Sequence, residues 1–421
     1  MQRSIRFIAV SVLMLVAVVV AACAPAATPA APQVVTVVAK ETVVAKETVV
    51  VPGATQVVQV MVTPTTDPNA PTPMAAGSVT LNGAGATFPD PIYTEWRFAY
   101  QYVDPSVVIN YQANGSGGGK KAIVDGTVDF AGSDSLLTTE YTQTTKGQLQ
   151  MFPTVAGAIV PIVNLAPEVT KTIVLDGPTL VGIYSAKITN WNDPAIAALN
   201  SGVTFPNKPI SVVHRSDGSG TTDNFTKYLA AVSADWKSTV GSGQSVQWPV
   251  DKAGSGVGGK GNAGVAAAVQ NTPYSIGYVE LSYATANAIP FADMVNATGK
   301  RVTANAASLL AAMTEFGDGF DPVKLTIPLI SNGKADGSWP IDTYTYQVLY
   351  MDWQPDPTLG CVKATKYLNW VHWFLTDASA AKRATQLGYA TLPPAVLAKV
   401  EGVLSKVTCD GKPVDSAFTM K

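Results

Sequence analysis

The chain has 421 residues and a net charge of −2, from 28 basic and 30 acidic side chains. With 47% hydrophobic and only 14% charged residues, it has the composition of a globular protein rather than a disordered or coiled-coil one. The near-neutral balance gives no support to a nucleic-acid partner, and two histidines with three cysteines offer little material for a metal site.

Residues 1–22 are typical of a secretory signal peptide. Arg3 and Arg6 precede an apolar run that ends in two alanines. Cys23 follows directly, as in a bacterial lipobox, where the thiol receives diacylglycerol and becomes the first mature residue. The alternative is an uncleaved membrane anchor with an incidental cysteine. Both interpretations place the remainder of the chain outside the cytoplasm.

Residues 23–77 form a low-complexity segment without aromatic side chains. The sequence TVVAKE occurs twice, at 36–41 and 42–47, between Pro-rich ends. Such a segment cannot bury a core and is typical of a tether that holds a domain away from a membrane. The alternative is that its Val-rich middle adds a strand to a sheet.

From Ser78 onward, the order strand, glycine turn and helix occurs three times. The three segments are SVTLNGAGATFPDPIYTEWRFAY, VVINYQANGSGGGKKAIVDG and ISVVHRSDGSGTTDNFTKYLAAV. Repeated units of this kind indicate an α/β protein with largely parallel sheets. Ligands of such proteins collect at the carboxyl ends of the strands, beside helix N-termini. The three turns are therefore candidates for one site.

Each turn leads into a helix N-terminus, whose N–H groups and partial positive charge favour an anion. Ser116 and Ser219 are each placed to cap a helix, and the neighbouring glycines allow close approach of a ligand. Arg215 adds a planar fork suited to tetrahedral oxyanions, and Asp217 could hold its guanidinium in place. The alternative is capped helices with a surface Arg–Asp pair, but together the three turns favour an oxyanion site.

Other chemistries are less well supported by these residues. His214 precedes Arg215 and on a strand would face the opposite way, so we interpret it as structural. A hydrolase based on Ser219 would need a positioned base, and none is evident. The run from Gly254 to Gly261 has Walker-type spacing, but a glycine stands where the Mg-binding hydroxyl belongs and no strong apolar strand precedes it. The sequence favours binding without turnover.

Cys361 and Cys409 are the cysteines that remain outside the signal region. In an oxidising compartment, two such cysteines most simply pair. The alternative is two separate buried thiols.

Five segments, in order, resemble the phosphate-binding proteins of bacterial phosphate ABC transporters, the PstS type. The segments are GAGATFPDPIYTEW, INYQANGSGGGKKAIVDGTVDFAGSD, LVGIYSAKITNWNDPAI, VHRSDGSGTTDNFTKYL and GKGNAGVAAAVQNTPYSIGYVELSYA. Weaker similarity continues in WPIDTYTYQVLY and LGYATLPP. The long tether and the pair Cys361 and Cys409 are outside the family's pattern.

The resemblance implies an α/β, two-lobed periplasmic-binding-protein fold of type II, with a hinge and a ligand cleft between the lobes. One lobe would comprise residues 78–155 and 286–421, and the other residues 156–285. Phosphate contacts carried over by position would be Thr87, Phe88, Ser116, Asp134, Arg215, Ser219, Gly220 and Thr221, with Asp217 orienting the arginine.

The resemblance alone supplies Asp134, a carboxylate beside an anion. An ionised Asp134 can accept a hydrogen bond from protonated phosphate, whereas sulfate carries no proton to donate. The implied protein is a lipid-anchored, extracytoplasmic monomer that needs no metal or organic cofactor and passes phosphate to a permease with a cytoplasmic ATPase. The alternatives are a receptor for sulfate or molybdate, an extracellular phosphate sensor or scavenger, and a phosphoesterase that uses the same cleft.

Overall fold

The structure, a computed structural model, describes residues 74–138, 142–144, 146–316, 319–327 and 332–419. The predicted signal peptide, Cys23 and most of the predicted tether lie outside these residues. Met74 already packs against the core, and the N–H of Gly77 donates to the Pro105 carbonyl at 2.9 Å. The folded body therefore includes residues that the sequence assigned to the tether.

The strands of the described residues carry most of the core. They are β1 (Val79–Gly85), β2 (Val107–Ala113), β3 (Phe130–Ser133), β4 (Gln143–Thr144), β5 (Gly147–Asn164), β6 (Val174–Leu175), β7 (Ser211–Arg215), β8 (Gly256–Gly259), β9 (Ser275–Glu280), β10 (Asp293–Val295), β11 (Arg301–Val302), β12 (Asp342–Tyr350), β13 (Asp352–Trp353), β14 (Thr408–Cys409) and β15 (Lys412–Pro413).

The helices lie between these strands and after them. They are α1 (Asp90–Tyr100), α2 (Ser116–Val124), α3 (Gly177–Tyr184), α4 (Pro194–Leu199), α5 (Gly220–Val232), α6 (Ala234–Thr239), α7 (Pro249–Lys252), α8 (Gly261–Asn271), α9 (Leu281–Ala286), α10 (Ala306–Phe316), α11 (Val362–Thr376), α12 (Ala378–Gln386) and α13 (Pro394–Leu404). The three predicted strand–turn–helix units are confirmed as β1–α1, β2–α2 and β7–α5. No helix among the described residues combines the length and apolar character needed to span a bilayer.

One sheet contains most of the described strands, in the order β2-β1-β3-β12-β5-β9-β7-β8. Strand β1 is parallel to β2 and β3, and β7 is parallel to β8 and β9, as the repeated units predict. Strand β12, however, is antiparallel to β3 and β5, and β5 is antiparallel to β9. The prediction of a largely parallel sheet is wrong for β5 and β12, because neither belongs to a strand–turn–helix unit that would return the chain in the same direction.

Strand β5 runs through both parts of this sheet. It is 18 residues long and almost continuously buried. Its first part pairs with β12 as far as Ala158, and its second part pairs with β9 from Ile159 onward. The partner therefore changes between two consecutive residues, and β5 joins the β2-β1-β3-β12 part to the β9-β7-β8 part.

Two small sheets flank the large one. Strand β10 pairs with β6 and β11, and β14 pairs with β13 and β15. A disulfide joins Cys361, just before α11, to Cys409 in β14. Near the other end of α11, Phe374 stacks on Trp96 of α1 with ring centroids 4.6 Å apart. The C-terminal helices thus pack against the first strand–turn–helix unit.

Candidate anion-binding site

The carboxyl ends of β1, β2 and β3 meet at one edge of the sheet. Gly85 is level with Ala113 of β2 and with Gly132 of β3. Parallel strands in register place the residues that follow them side by side. Thr87, Ser116 and Asp134, which follow these strands, are all buried there.

Ser116 does not cap its helix as predicted. The N-cap of α2 is Gly115, at a φ of 93° that only glycine adopts readily, and no side chain caps the helix. The Ser116 Oγ instead accepts hydrogen bonds from Gly220 N at 3.1 Å and Asp134 N at 3.2 Å, and lies 3.4 Å from Asp134 Oδ2. Ser116 is the first residue of α2 rather than its N-cap, and its hydroxyl points toward α5 instead of back along α2.

Arg215, at the end of β7, forms a bidentate pair with Asp217. Its Nε and Nη2 donate to the two carboxylate oxygens at 2.7 and 2.6 Å. Its Nη1 lies 3.4 Å from Thr221 Oγ1, and only 1% of the side chain is exposed. Burial opposes the charge of Asp217, but the hydrogen bonds and charge of Arg215 outweigh it and hold the pKa of Asp217 below its usual value. The guanidinium is therefore buried and fixed in orientation.

Ser219 is the N-cap of α5, as predicted. Its Oγ accepts from Thr222 N at 3.0 Å. Gly220 and Thr221 are the first two residues of this helix, and both are buried. Gly220 N and Thr222 N donate to Ser116 Oγ and Ser219 Oγ, and the helix N-terminus places its partial positive charge beside the Arg215 guanidinium.

Asp134 lies between Ser116, at the start of α2, and the first turn of α5. Its Oδ1 accepts from Thr345 Oγ1 of β12 at 2.7 Å, and its carbonyl accepts from Asn224 Nδ2 of α5 at 2.7 Å. Burial raises the pKa of Asp134 to about 7, against the hydrogen bond from Thr345 and the charge of Arg215. Burial therefore shifts this carboxyl toward its protonated form.

A fourth turn, between β8 and α8, also contributes to the site. Gly261 N donates to Asp217 Oδ1 at 2.9 Å. Asn262 donates to Thr87 Oγ1 through its N at 3.1 Å and its Nδ2 at 2.9 Å. Its Nδ2 also lies 3.3 Å from Thr221 Oγ1. Asn262 thus links the turn after β1 to the start of α5.

The backbones of the turns are in close contact. Gly117 N donates to Gly218 O at 3.0 Å. A Cβ on Gly220 would lie 2.6 Å from Ser116 Oγ and 2.7 Å from Asp134 Cβ. A Cβ on Gly115 would lie 2.4 Å from Asp217 Oδ2. Glycine is needed at both positions because two chain segments approach each other without room for a side chain.

Phe88 is the predicted contact whose side chain points into the core. The ring is fully buried and packs edge-on against Tyr389, with centroids 6.3 Å apart. Its carbonyl accepts from Tyr389 OH at 2.7 Å. A contact of Phe88 with an anion would therefore be made by its backbone.

His214 has the structural role that the sequence suggested. The ring is buried and stacks on Trp248, with centroids 5.0 Å apart. Its Nε2 lies 2.7 Å from Asp251 Oδ1. The ring thus contacts Asp251 of α7 and Trp248, the residue before α7, rather than the turn that holds Ser219.

Comparison with known proteins identifies the family. Residues 63–377 match the model of the PBP superfamily domain. The chain is 41% identical over 323 residues to the phosphate-binding protein PstS of Pasteurella multocida (strain Pm70), covering 76% of this chain and 89% of that protein. The chain belongs to the PstS family. It is also 40% identical over 338 residues to the PstS protein of Xylella fastidiosa (strain Temecula1 / ATCC 700964), covering 80% of this chain and 88% of that one.

A solved structure supports the fold. The phosphate-binding protein from Stenotrophomonas maltophilia superposes with a TM-score of 0.57 at 21% identity, covering 80% of this chain and 99% of that one. At this identity the likeness concerns the fold alone. Together with the PBP model match, it confirms the predicted α/β, two-lobed periplasmic-binding-protein fold. The exact division of the PstS-type body into lobes stays a prediction.

Sequence reasoning missed several residues of this candidate site. Gly261 and Asn262 begin the helix of a fourth strand–turn–helix unit, β8–α8, whose strand is hard to recognise because it is rich in glycine. Asn224 lies one helical turn after Gly220, where a buried polar side chain could have been noticed. Thr345 gives no local signal, because the long-range pairing of β12 with β3 brings it to Asp134.

Proposed function

We propose that this protein captures inorganic phosphate at the buried junction of the four turns and delivers it to the permease of an ABC transporter. The observation that carries the proposal is the buried Arg215 guanidinium, oriented by Asp217 and placed beside the N-terminus of α5. Its membership of the PstS family supports phosphate as the anion. The relatives are named as binding proteins, which favours binding without turnover.

In the proposed complex, donors from both parts of the sheet surround the phosphate. Arg215 and the positive N-terminus of α5 lie on one side, with the hydroxyls of Ser219 and Thr221. Thr87, the backbone of Phe88 and Ser116 lie on the other side. Fixed donors of this kind replace the water shell of an anion without rearranging as it binds. Closure of the two lobes around the ligand would exclude solvent.

Asp134 would distinguish phosphate from sulfate. When ionised, it accepts a hydrogen bond from a P–OH group, while sulfate carries no proton to place between the two negative groups. The buried carboxylate then faces sulfate with repulsion that no hydrogen bond offsets, so the wrong anion is rejected. The Asp134 pKa of about 7 makes this discrimination dependent on pH.

We further propose that residues 1–22 are a cleaved signal peptide and that diacylglycerol on Cys23 anchors the protein, as a monomer, to the outer face of the cell membrane. The apolar run before Cys23 supports this. Cys23→Ala should abolish acyl labelling and release the protein in soluble form. Unchanged membrane retention with unchanged labelling would contradict the proposal.

Calorimetric titration of the phosphate-stripped protein tests the ligand. We expect one phosphate per chain, competition by arsenate because of its similar shape and protonation, and no heat from sulfate at pH 8. Tight sulfate binding would make the protein a receptor for another oxyanion. Sustained hydrolysis of a chromogenic phosphate ester would make it an enzyme. Phosphate uptake that is unaffected by deletion of the gene would favour the alternative of a sensor or scavenger.

A further inference from the structure

Glu280 is a buried carboxyl group directly behind the predicted phosphate site. It ends β9, is the N-cap of α9 and has no exposed surface. It pairs with Ile159, the first residue of β5 that pairs with β9 rather than with β12. Glu280 therefore lies where the two parts of the sheet meet.

The hydrogen bonds of Glu280 extend to the turn after β1. Its Oε2 accepts from Ser282 N at 2.9 Å, from Ser282 Oγ, and lies 2.9 Å from Tyr389 OH. The same Tyr389 hydroxyl donates to the Phe88 carbonyl at 2.7 Å. Among the described residues, Glu280 Oε1 is buried without a hydrogen-bond partner.

The number of available hydrogens indicates the protonation state. Tyr389 has one hydroxyl hydrogen, but its oxygen lies between the Phe88 carbonyl, which only accepts, and the Glu280 carboxyl. If Glu280 is ionised, both neighbours are acceptors and the single Tyr389 hydrogen can reach only one of them, while Ser282 still donates to the carboxylate. If Glu280 is protonated at Oε2, it donates to Tyr389, and Tyr389 donates to Phe88. A neutral acid also makes the unpartnered Oε1 less costly than a buried carboxylate oxygen would be.

The surrounding charges favour the neutral form. Burial, reinforced by the negative charge of Asp134, raises the pKa of Glu280 to about 8, against the hydrogen bonds from Ser282 and Tyr389. The other titratable groups that interact with this region are Tyr389, Tyr283, Asp90 and Arg215. Burial raises the pKa of both phenols, followed by the negative charge of Glu280 for Tyr389 and by those of Asp90 and Glu280 for Tyr283.

We propose that Glu280 is a positioning residue for phosphate binding: its protonated carboxyl donates to Tyr389, which donates to the Phe88 carbonyl and fixes the turn at Thr87 and Phe88. The inference rests on the proposed function. The Thr87 carbonyl is already held by Tyr283 OH at 2.6 Å, so two tyrosines fix consecutive carbonyls of this turn. When Glu280 ionises, the carboxylate competes for the Tyr389 hydrogen, since a charged acceptor is the stronger one. The turn is then less firmly held, and phosphate binds more weakly.

Titration with inorganic phosphate between pH 6.5 and 9.5 tests the proposal with Glu280→Gln. Glutamine cannot ionise, so no carboxylate competes for Tyr389 in this variant. We expect the ratio of E280Q to wild-type affinity to rise about fivefold over this interval, the effect of about one hydrogen bond. The titration of phosphate is common to both proteins and cancels in the ratio. The exposed control Glu168→Gln should keep a constant ratio, and a constant ratio for E280Q would overturn the proposal.

Tyr389→Phe removes the middle hydroxyl of the hydrogen-bonded chain from Glu280 through Tyr389 to the Phe88 carbonyl. We expect it to bind phosphate about fivefold more weakly than wild type at pH 6.5, because the Phe88 carbonyl loses its donor. We expect the difference in phosphate affinity between Y389F and wild type to be smaller at pH 9.5, where the wild-type hydrogen bond from Tyr389 to the Phe88 carbonyl is already weakened. Wild-type affinity of Y389F at pH 6.5 would overturn the proposal even if E280Q fails to fold.

A measurement without phosphate separates this inference from the proposed function. Because folding raises the Glu280 pKa from 4.5 to about 8, its contribution to stability is complete below about pH 4.5 and is lost as the pH rises through about 8. The melting temperature of E280Q relative to wild type should therefore increase from pH 5 to pH 8. A constant difference would show that Glu280 is ionised in the folded protein. If the relative melting temperature of E280Q does increase in this way, but neither wild type nor any variant binds phosphate, the proposed function is refuted instead.

Discussion

At the scale of single residues, Arg215 should contribute most to the affinity for an anion. Arg215→Lys keeps the charge but loses the two parallel hydrogen bonds to Asp217, and this partly buried carboxylate keeps only the hydrogen bond from Gly261 N. We expect phosphate affinity to fall by about 1.5–3 kcal/mol, the range for a hydrogen bond to a charged group. Calorimetric titration measures the loss, and Arg383→Lys, in a half-exposed pair with Glu95, is the matched control. Wild-type affinity of R215K would place Arg215 outside the site.

Asp134→Asn tests selectivity at the same scale. The amide removes the charge that repels sulfate and adds a donor, so sulfate should bind detectably while phosphate binds comparably or moderately more weakly. Since the Asp134 pKa is about 7, wild-type exclusion of sulfate should strengthen from pH 6 to pH 8, and this trend should be absent from D134N. Competition titrations at both pH values measure it, with Asp235→Asn in the exposed pair with Lys187 as control. Equal exclusion of sulfate by D134N would refute the selectivity role.

The roles of these residues differ in how far the sequence predicts them. Arg215, Asp217 and Ser219 lie within five positions, so their local spacing predicts the pair and the cap. Asp134 needed a family resemblance, because a carboxylate in a loop has no local feature that indicates an anion. Thr345 reaches it from 211 positions away, and only the pairing of β12 determines that contact. Contacts made within one turn were predictable, and contacts made by sheet pairing were not.

At the scale of elements, the close approach of α5 to α2 and β3 requires glycine, which has no side chain, at position 220. Gly220→Ala would place a Cβ 2.6 Å from Ser116 Oγ and 2.7 Å from Asp134 Cβ, so the segments must separate. Overpacking of this kind costs about 1–3 kcal/mol, and we expect phosphate affinity to fall by about five- to 150-fold. Gly402→Ala is the control, because its Cβ on α13 would meet nothing within 4 Å. Unchanged affinity of G220A would show that phosphate does not require this contact.

The disulfide stabilises the C-terminal elements through the unfolded chain. Cys361 and Cys409 are 48 residues apart, and closing a loop of this length contributes about 4 kcal/mol. The double variant C361S with C409S should lose stability of this order in chemical denaturation, and reduction of the wild-type protein should reproduce the loss. Phosphate affinity should not change, since no predicted ligand residue lies in β13, β14 or β15. Equal stability of the oxidised, reduced and substituted proteins would refute the structural role.

The same division between local and long-range information applies to the elements. Apolar strand, glycine turn and capped helix are local patterns, and β1–α1, β2–α2 and β7–α5 form where they predict. The direction of β5 and β12 depends on which strands they pair with, and that is decided by the packing of the whole sheet. Strand β8 was missed because its glycines, which allow the close approach of α8, remove the apolar signal of a strand.

At the scale of the whole molecule, the site exists only when distant parts of the chain are folded together. Its described groups extend from Thr87 to Thr345, and they come from both parts of the sheet that β5 joins. The segment before Met74 contributes no predicted ligand residue. Anchoring and ligand binding should therefore be separable, with the boundary at the first residues that pack on the body.

Two deletions that differ by four residues locate this boundary. Removal of residues 24–73 should leave phosphate affinity within about twofold of wild type and should not change the melting temperature. Removal of residues 24–77 should also preserve affinity, but it eliminates the packing of Met74 and the hydrogen bond from Gly77 to Pro105, and should cost about 1–2 kcal/mol of stability. Calorimetric titration and thermal unfolding of both proteins without their lipid anchor measure the two effects. A loss of affinity of about tenfold, 1.4 kcal/mol, in the shorter deletion would mean that the segment takes part in binding. Equal melting temperatures of the two deletions would place the start of the body after Gly77.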